Sequence, residues 1–340
     1  MNKWALLRDT YKYLDFQKVK GSLQLWRSYN RSKRSGIAEL NSKPFAISIE
    51  PTTACNLGCP ECPSGLRQFN RKTGNLKVDL FKKVIDQMKE HLIYLTFYFQ
   101  GEPYINPDFL DMVKYANKSK IYTSTSTNAH FLNKDNAIRT IESGLDKLIV
   151  SVDGTTQETY EKYRINGDLN KALGGIREIV KWKAKLKSNK PKVVMQFLVV
   201  KHNEHQINEA KKLAKNIGAD SIQFKTAQIY DYANGSPLIP EQEKYSRYKM
   251  NRNGKYEIKN SLSNQCWRMW HSCVITWDGQ VVPCCFDKDA KYQLGDLSIQ
   301  SFDEIWYSEN YMNFRNSILK SRKQVDICTN CTEGTKVWTS

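Results

Sequence analysis

Between residues 44 and 227 six short apolar runs alternate with amphipathic stretches, and this alternation constrains the fold more than any other feature. The runs occupy 44–50, 94–100, 121–127, 147–153, 192–200 and 221–227. Helical periodicity fills the intervals near 79–91, 107–118, 134–143, 170–188 and 203–217, each long enough to return the chain for a parallel strand. The pattern predicts an α/β fold with a parallel sheet, open or curled into a partial barrel. In such folds the chemistry sits at the C-terminal ends of the strands.

Just after the first run, Cys55, Cys59 and Cys62 fall at the spacing Cys-x-x-x-Cys-x-x-Cys. Cys-x-x-Cys alone suits zinc, a redox dithiol or a cluster, whereas a third Cys four residues upstream fits three corners of an iron–sulfur cube. The fourth iron then lacks a cysteine and can take a small chelating ligand. A zinc knuckle would need a distant ligand, and His91, His130, His202, His205 and His271 all lie away from this segment in sequence. The other six of the nine cysteines (Cys266, Cys273, Cys284, Cys285, Cys328 and Cys331) follow residue 265. Two grouped sets with an odd total argue for two metal sites and against a disulfide framework.

At 340 residues, with 40% hydrophobic and 11% aromatic content, the chain has enough apolar mass for a large core and an accessory module. It contains no apolar run of 18 residues, and its first residues show no apolar signal core, so a cytoplasmic protein is expected. Of the net charge of +17, residues 1–44 contribute ten Lys/Arg against three Asp/Glu, a local net of +7. Trp4, Leu7, Tyr11 and Leu14 share a helical stripe. After Gly21 a second pattern carries Leu23 and Trp26 beside Arg27, Arg31, Lys33 and Arg34. This basic arm reads as an amphipathic helix docked on the body, with peripheral membrane contact through residues 1–44 left open.

Residues 231–265 are polar and rich in Asn, Gly and Lys, and read as a connector. Beyond them Asp278-Gly279 joins two short strands, 274–277 and 280–282, as a hairpin. Ser301-x-x-Glu304 then opens a helix as a capping box, and Cys328-x-x-Cys331 follows. So small a module needs metal to hold it together.

The tri-cysteine spacing after a first strand, with Gly101-Glu102-Pro103 at the end of the second, resembles the radical S-adenosylmethionine (SAM) superfamily. The later cysteines resemble its SPASM/twitch auxiliary-cluster extension. The resemblance implies a partial (β/α)6 TIM-like barrel over residues 45–230 and a small iron–sulfur domain of hairpin plus helix over 266–334. Cys55, Cys59 and Cys62 would hold a four-iron, four-sulfur (4Fe-4S) cluster whose open iron chelates SAM. Gln100-Gly101-Glu102-Pro103 resembles the family's Gly-Gly-Glu-Pro, whose glutamate and neighbouring carbonyl receive the SAM amino group; Gln100 replaces the first glycine. Thr127-Asn128-Ala129 is similar to the family's Thr-Asn-Gly and makes Ser126 and Asn128 candidates for ribose or substrate. Ser151-Val152-Asp153-Gly154 resembles Ser-Leu-Asp-Gly, with Ser151 a candidate ribose contact and Asp153 a site candidate. Arg164 matches an arginine that pairs with the SAM carboxylate in SPASM relatives, a task suited to parallel donors. Gln196, alone among Val193, Val194, Phe197 and Leu198, is a candidate for adenine or substrate. Relatives carry an aromatic just before the third cysteine, and this chain has Glu61 there. The later spacing resembles the single-cluster type. Cys266, Cys284, Cys328 and Cys331 are therefore expected to ligate one auxiliary 4Fe-4S cluster, and Cys273 and Cys285 to be buried in apolar roles.

The implied activity is that of a radical SAM/SPASM oxidoreductase. It would cleave SAM reductively to a 5′-deoxyadenosyl radical, abstract hydrogen from a substrate, and relay an electron through the auxiliary cluster. A flavodoxin- or ferredoxin-like donor suits the basic surface. A small-molecule or lipid-linked substrate is expected, because residues 1–44 are short for a domain that binds a peptide leader. The alternative is a maturase of ribosomally made peptides with recognition supplied in trans. A zinc-bearing nucleic-acid-binding protein explains neither the parallel pattern nor Gly101-Glu102-Pro103, and nucleic acid is not an expected partner.

Overall fold

The crossover helices that the sequence pattern predicts between the strands bury the faces defined by their apolar periods. In the computed structural model, which describes residues 9–335 and 338, the chain begins with α1 (Phe16–Ser35), β1 (Ala46–Ile49), α2 (Pro63–Leu66), α3 (Val78–Met88) and β2 (Tyr94–Phe97). It continues with α4 (Phe109–Lys118), β3 (Tyr122–Thr127), α5 (Lys134–Glu142), β4 (Lys147–Ser151), α6 (Gln157–Glu161), α7 (Leu169–Lys185), β5 (Lys192–Val199), α8 (Ile207–Asn216) and β6 (Ser221–Thr226). The last elements are β7 (Tyr248–Met250), β8 (Tyr256–Ile258), α9 (Arg268–His271), β9 (Ser272–Ile275), β10 (Gln280–Val282), β11 (Gly295–Asp296), α10 (Phe302–Trp306) and α11 (Glu309–Ser321). Trp4 and Leu7 of the N-terminal stripe lie outside the described residues. On α3, Phe81, Val84, Ile85 and Met88 recur at helical spacing and are buried. Side-chain caps set the helix starts: Asn133 accepts from Asn136 N before α5, Asp168 from Lys171 N before α7, and Ser301 forms the expected capping box with Glu304.

Contacts divide the chain into two compact units. The first comprises the described residues up to Ala54, with Phe69–Ser124 and Leu262–Gly334; the second comprises Cys55–Gln68, Thr125–Ser261 and the described residues after Gly334. In the first unit β1 pairs in parallel with β2, placing Ile47 opposite Leu95, and on its other side in parallel with β9, placing Ile47 opposite Cys273. β10 folds back antiparallel on β9, and β11 pairs antiparallel with β10. The C-terminal hairpin thus extends the parallel sheet, and β9, flanked on both sides, is buried throughout. In the second unit β5 lies between β4 and β6, parallel to both. The fold is α/β with parallel strands and a small antiparallel sheet toward the C-terminus, as the alternation predicts.

Two segments differ from the sequence reading. α1 runs through Gly21, where the pattern suggested a break. A Cβ there would stand 2.9 Å from Ser42 Oγ, so close packing accounts for the glycine. Residues 231–265, read as a connector, contain the antiparallel pair β7 and β8. Tyr248 of β7 is buried, and its hydroxyl accepts from Ile229 N at 2.8 Å. Strands of three residues carry too little period to be recognised in sequence.

Glu50, just past β1, is buried and holds Arg71 through two oxygens, at 2.6 and 2.8 Å, while also accepting from Trp277 N at 3.3 Å. Arg71 donates onward to Lys288 O, so the pair fastens β1 to the C-terminal hairpin. Burial raises the Glu50 pKa above the usual carboxylate range, with Arg71 acting against it. Arg71→Met strands the carboxylate and is expected to cost about 3–5 kcal/mol at neutral pH. Without Arg71, folded Glu50 keeps its proton to higher pH than the unfolded chain does. The cost therefore grows as pH rises through the folded pKa and shrinks toward the ordinary glutamate value. Urea midpoints of both proteins across the acidic range test this, and a pH-independent deficit would contradict it.

Candidate functional site

Two close backbone approaches shape the loop that carries Cys55, Cys59 and Cys62. Gly58 N donates to Ile165 O at 2.9 Å, and a Cβ on Gly65 would stand 2.6 Å from the Cys59 backbone. Cys59 is buried, Cys55 and Cys62 are half-buried, and Cys62 precedes α2 as its N-cap residue. Asn128 donates to Asn56 Oδ1 at 2.8 Å and stands 3.9 Å from Cys55 Sγ. Arg164 places Nη1 at 3.6 Å from Cys59 Sγ and donates through Nε to Asp153 Oδ2 at 2.6 Å. Asp153 is itself held, accepting from Leu198 N at Oδ1 and from Asn203 Nδ2 at its carbonyl. Burial alone opposes the Arg164 charge, but Asp153 and then Cys59 outweigh it and keep the guanidinium protonated more firmly than usual. Burial pushes the Cys59 thiol up, with Arg164 pulling the other way. Arg164 and Asp153, separate candidates in the sequence, form one ion pair here.

Across β4, β5 and β6 of the same unit, Ser151 stands opposite Gln196, and Gln196 opposite Gln223. Residues in register share a face, so the three form a polar row. Ser126 is half-buried at the end of β3. Glu61 accepts from Tyr230 N at 2.9 Å, which draws the backbone of an aromatic residue to the loop position where relatives have one. Sequence reasoning missed Asn56, Asn203 and Gln223. Each is an amide without motif spacing, and only register or loop closure gives it a partner.

Gln100, Gly101, Glu102 and Pro103 belong to the first unit. Gly101 has φ +74°, and a Cβ on it would stand 2.2 Å from Thr52 O. Glu102 N donates to Ala54 O at 2.8 Å, its buried side chain accepts from Tyr104 N, and Pro103 opens a short turn. The glutamate is thereby tied to the residue that precedes Cys55 in the chain. Gly101→Ala should destabilise the protein by at least about 2 kcal/mol, through the left-handed backbone and the clash together. An unchanged denaturation midpoint would refute the close approach.

In the first unit Cys266, Cys284, Cys328 and Cys331 line one pocket, walled in part by Met269 and Phe314. Cys273 is buried outside it, in β9, and Cys285, expected to be buried, is exposed. Arg322, also buried, donates from Nη2 to Cys331 Sγ at 3.2 Å and from Nη1 to Gln265 O and Glu333 O. Glu333 N donates to the same sulfur at 3.3 Å. Burial raises all four thiols, Cys328 to about 11. Among the described residues no carboxylate pairs with Arg322, so thiolate sulfurs are the anions that this buried cation can meet. Likewise no three His, Cys, Asp or Glu groups meet at the spacing of a single metal ion. Four sulfurs lining a pocket, with donors aimed at one of them, fit a multi-iron cluster.

A parallel α/β frame with a cysteine loop after its first strand and a four-cysteine pocket among its C-terminal elements is the frame of an iron–sulfur protein. Residues 49–214 match the radical SAM superfamily, and residues 266–332 match SPASM, an iron-sulfur cluster-binding domain. The chain belongs to the radical SAM superfamily and carries a C-terminal SPASM domain. It is a radical SAM enzyme, and its two domains imply 4Fe-4S clusters and SAM as cofactors. This displaces the zinc-bearing nucleic-acid alternative. The chain is similar to the tungsten-containing aldehyde ferredoxin oxidoreductase cofactor-modifying protein of Pyrococcus furiosus, at 27% identity over 321 residues, covering 84% of this chain and 86% of the relative. It is similar to the PqqA peptide cyclase of Bradyrhizobium diazoefficiens at 26% identity, over 61% of this chain and 53% of the cyclase. Streptococcus suis SuiB bound to S-adenosylmethionine shares the fold, with a TM-score of 0.63 at 14% identity, covering 92% of this chain and 76% of SuiB. No helix among the described residues is long and apolar enough to cross a membrane.

Proposed function

We propose that this enzyme carries out a SAM-dependent radical oxidation of a small-molecule or lipid-linked substrate. The observation that carries the reading is the pocket of Cys266, Cys284, Cys328 and Cys331, where four cysteines leave no open iron and suit a cluster that accepts an electron. The relative matched over most of its length is named for modifying a cofactor, which supports a substrate that is not a protein. Cys55, Cys59 and Cys62 would hold the first cluster, and with SAM bound it supplies a 5′-deoxyadenosyl radical able to take hydrogen from an unactivated carbon. The chain's own groups bind and orient. Glu102, with the backbone of Gln100, Gly101 and Pro103, receives the SAM amino group. Arg164, its plane fixed by Asp153, offers its outer nitrogens to the carboxylate. Ser126, Asn128, Ser151 and Gln196 supply polar contacts for ribose, adenine or substrate. The substrate would give a hydrogen atom to the 5′-deoxyadenosyl radical, then a proton to solvent and an electron to the auxiliary cluster. A flavodoxin- or ferredoxin-like donor would reduce the first cluster, drawn by the charge of +17.

The test is anaerobic turnover with deuterated candidate compounds, reading deuterium in the 5′-deoxyadenosine formed. Label arriving from a small molecule or lipid-linked compound supports the reading. Label arriving only from a precursor peptide, with a separate recognition protein added, would favour the second reading, a peptide maturase. The similarity to PqqA peptide cyclase supports that one.

A further inference from the structure

The solvent side of α1 is apolar. Phe16, Val19, Leu23 and Trp26 recur at helical spacing and are 83%, 42%, 51% and 57% exposed. The side that faces the body is small and mostly polar, with Gly21, Ser28 and Ser32 buried beside Leu25. This inverts the usual orientation of a surface helix, whose apolar stripe faces the core. The helix is also fixed in that orientation. Lys18 Nζ donates to Lys120 O at 2.7 Å, Tyr29 packs on Trp267 and Trp270 with ring centroids 5.1 and 5.2 Å away, and Asp15 and Gly36 cap the two ends.

Charge says what covers the stripe. Phe16–Ser35 holds six Lys/Arg and no Asp or Glu. Lys18 is buried and Arg31 pairs with Glu39 at 3.1 Å. Lys20, Arg27 and Arg34 are exposed on the same outer half of the helix, with no carboxylate partner among the described residues. A second copy packed stripe to stripe would set these cations against their own images. A surface that is apolar below and negative at its face satisfies both halves of the pattern. We infer that α1 is an interfacial helix that seats this enzyme on an anionic phospholipid surface, with Phe16, Val19, Leu23 and Trp26 entering the headgroup boundary.

The inference is independent of the radical chemistry, and so is its test. Full-length holoenzyme is sedimented with vesicles of phosphatidylcholine alone and of phosphatidylcholine with phosphatidylglycerol. Binding is expected to the anionic vesicles only, weakening as salt rises. Leu23→Glu with Trp26→Glu should abolish it, and Lys20→Gln with Arg27→Gln should weaken it about 25-fold, at about fivefold per charge near the surface. All four positions are exposed, so unchanged melting and iron content confirm that each variant is folded. Wild-type protein that ignores anionic vesicles, or binding that Leu23→Glu with Trp26→Glu leaves intact, overturns the proposal. A solution dimer split by those changes would also overturn it and assign the stripe to a second copy.

Discussion

Cys59→Ala is expected to abolish SAM cleavage and to lower iron from about eight to about four atoms per chain, because one of two four-iron clusters loses a corner ligand. Cys59 is the buried member of its loop, approached by Arg164 Nη1 and by the backbone of Gly65. The change removes a sulfur and leaves the Arg164–Asp153 pair intact, so the loop should keep its shape. Cys266, Cys284, Cys328 and Cys331 line a pocket in the first unit, while the loop belongs to the second, so their iron should persist. Cys273→Ala is the matched control. It removes an equally buried thiol that lies outside the pocket, so iron should stay at about eight and SAM cleavage should be unaffected. Iron and acid-labile sulfide assays on anaerobic protein, with 5′-deoxyadenosine release, measure both. A Cys59→Ala protein that still cleaves SAM with eight irons would sink the assignment of the loop.

The parallel α/β pattern was legible because the strands are short runs of apolar, aromatic or β-branched residues and the crossover helices are amphipathic, and period separates them. The grouping of the cysteines was legible too, since ligand spacing is local. What escaped is what tertiary contact creates. No local pattern says that β9 adds in parallel to β1, that Asp153 spends one oxygen on Arg164 and the other on Leu198 N, or that Gln223 joins the row begun by Ser151. Cys285 was expected inside because alternation put it on the face opposite Cys284, but the chain leaves β10 at Val282 and alternation has no hold beyond that residue. In α1 the helical period was visible, and the side that faces inward was not. Small residues and Lys18 anchor it where a hydrophobic stripe would ordinarily do so.

Arg322→Leu should weaken retention of the auxiliary cluster by about 10–100-fold, the usual effect of losing a partner that supports a metal ligand. Arg322 is a buried cation whose guanidinium meets two carbonyls, Gln265 O and Glu333 O, and the sulfur of Cys331. Leucine keeps much of the volume but removes both the donor and the charge. A positive group beside a cluster favours its reduced form, so the midpoint potential of the auxiliary cluster should also become more negative. Arg322→Lys should show a smaller shift in potential, because it retains the charge while losing the fork that reaches a carbonyl and a sulfur together. Iron release under chelator challenge and a redox titration followed by electron paramagnetic resonance separate the two effects. A purely structural role predicts a lower melting temperature with an unmoved potential. If Arg322→Leu leaves both chelator resistance and potential unchanged, the bond from Nη2 to Cys331 Sγ has no part in holding or tuning a cluster. A cluster held by Cys55, Cys59 and Cys62, where Arg164 Nη1 approaches Cys59, should keep its potential in every one of these variants.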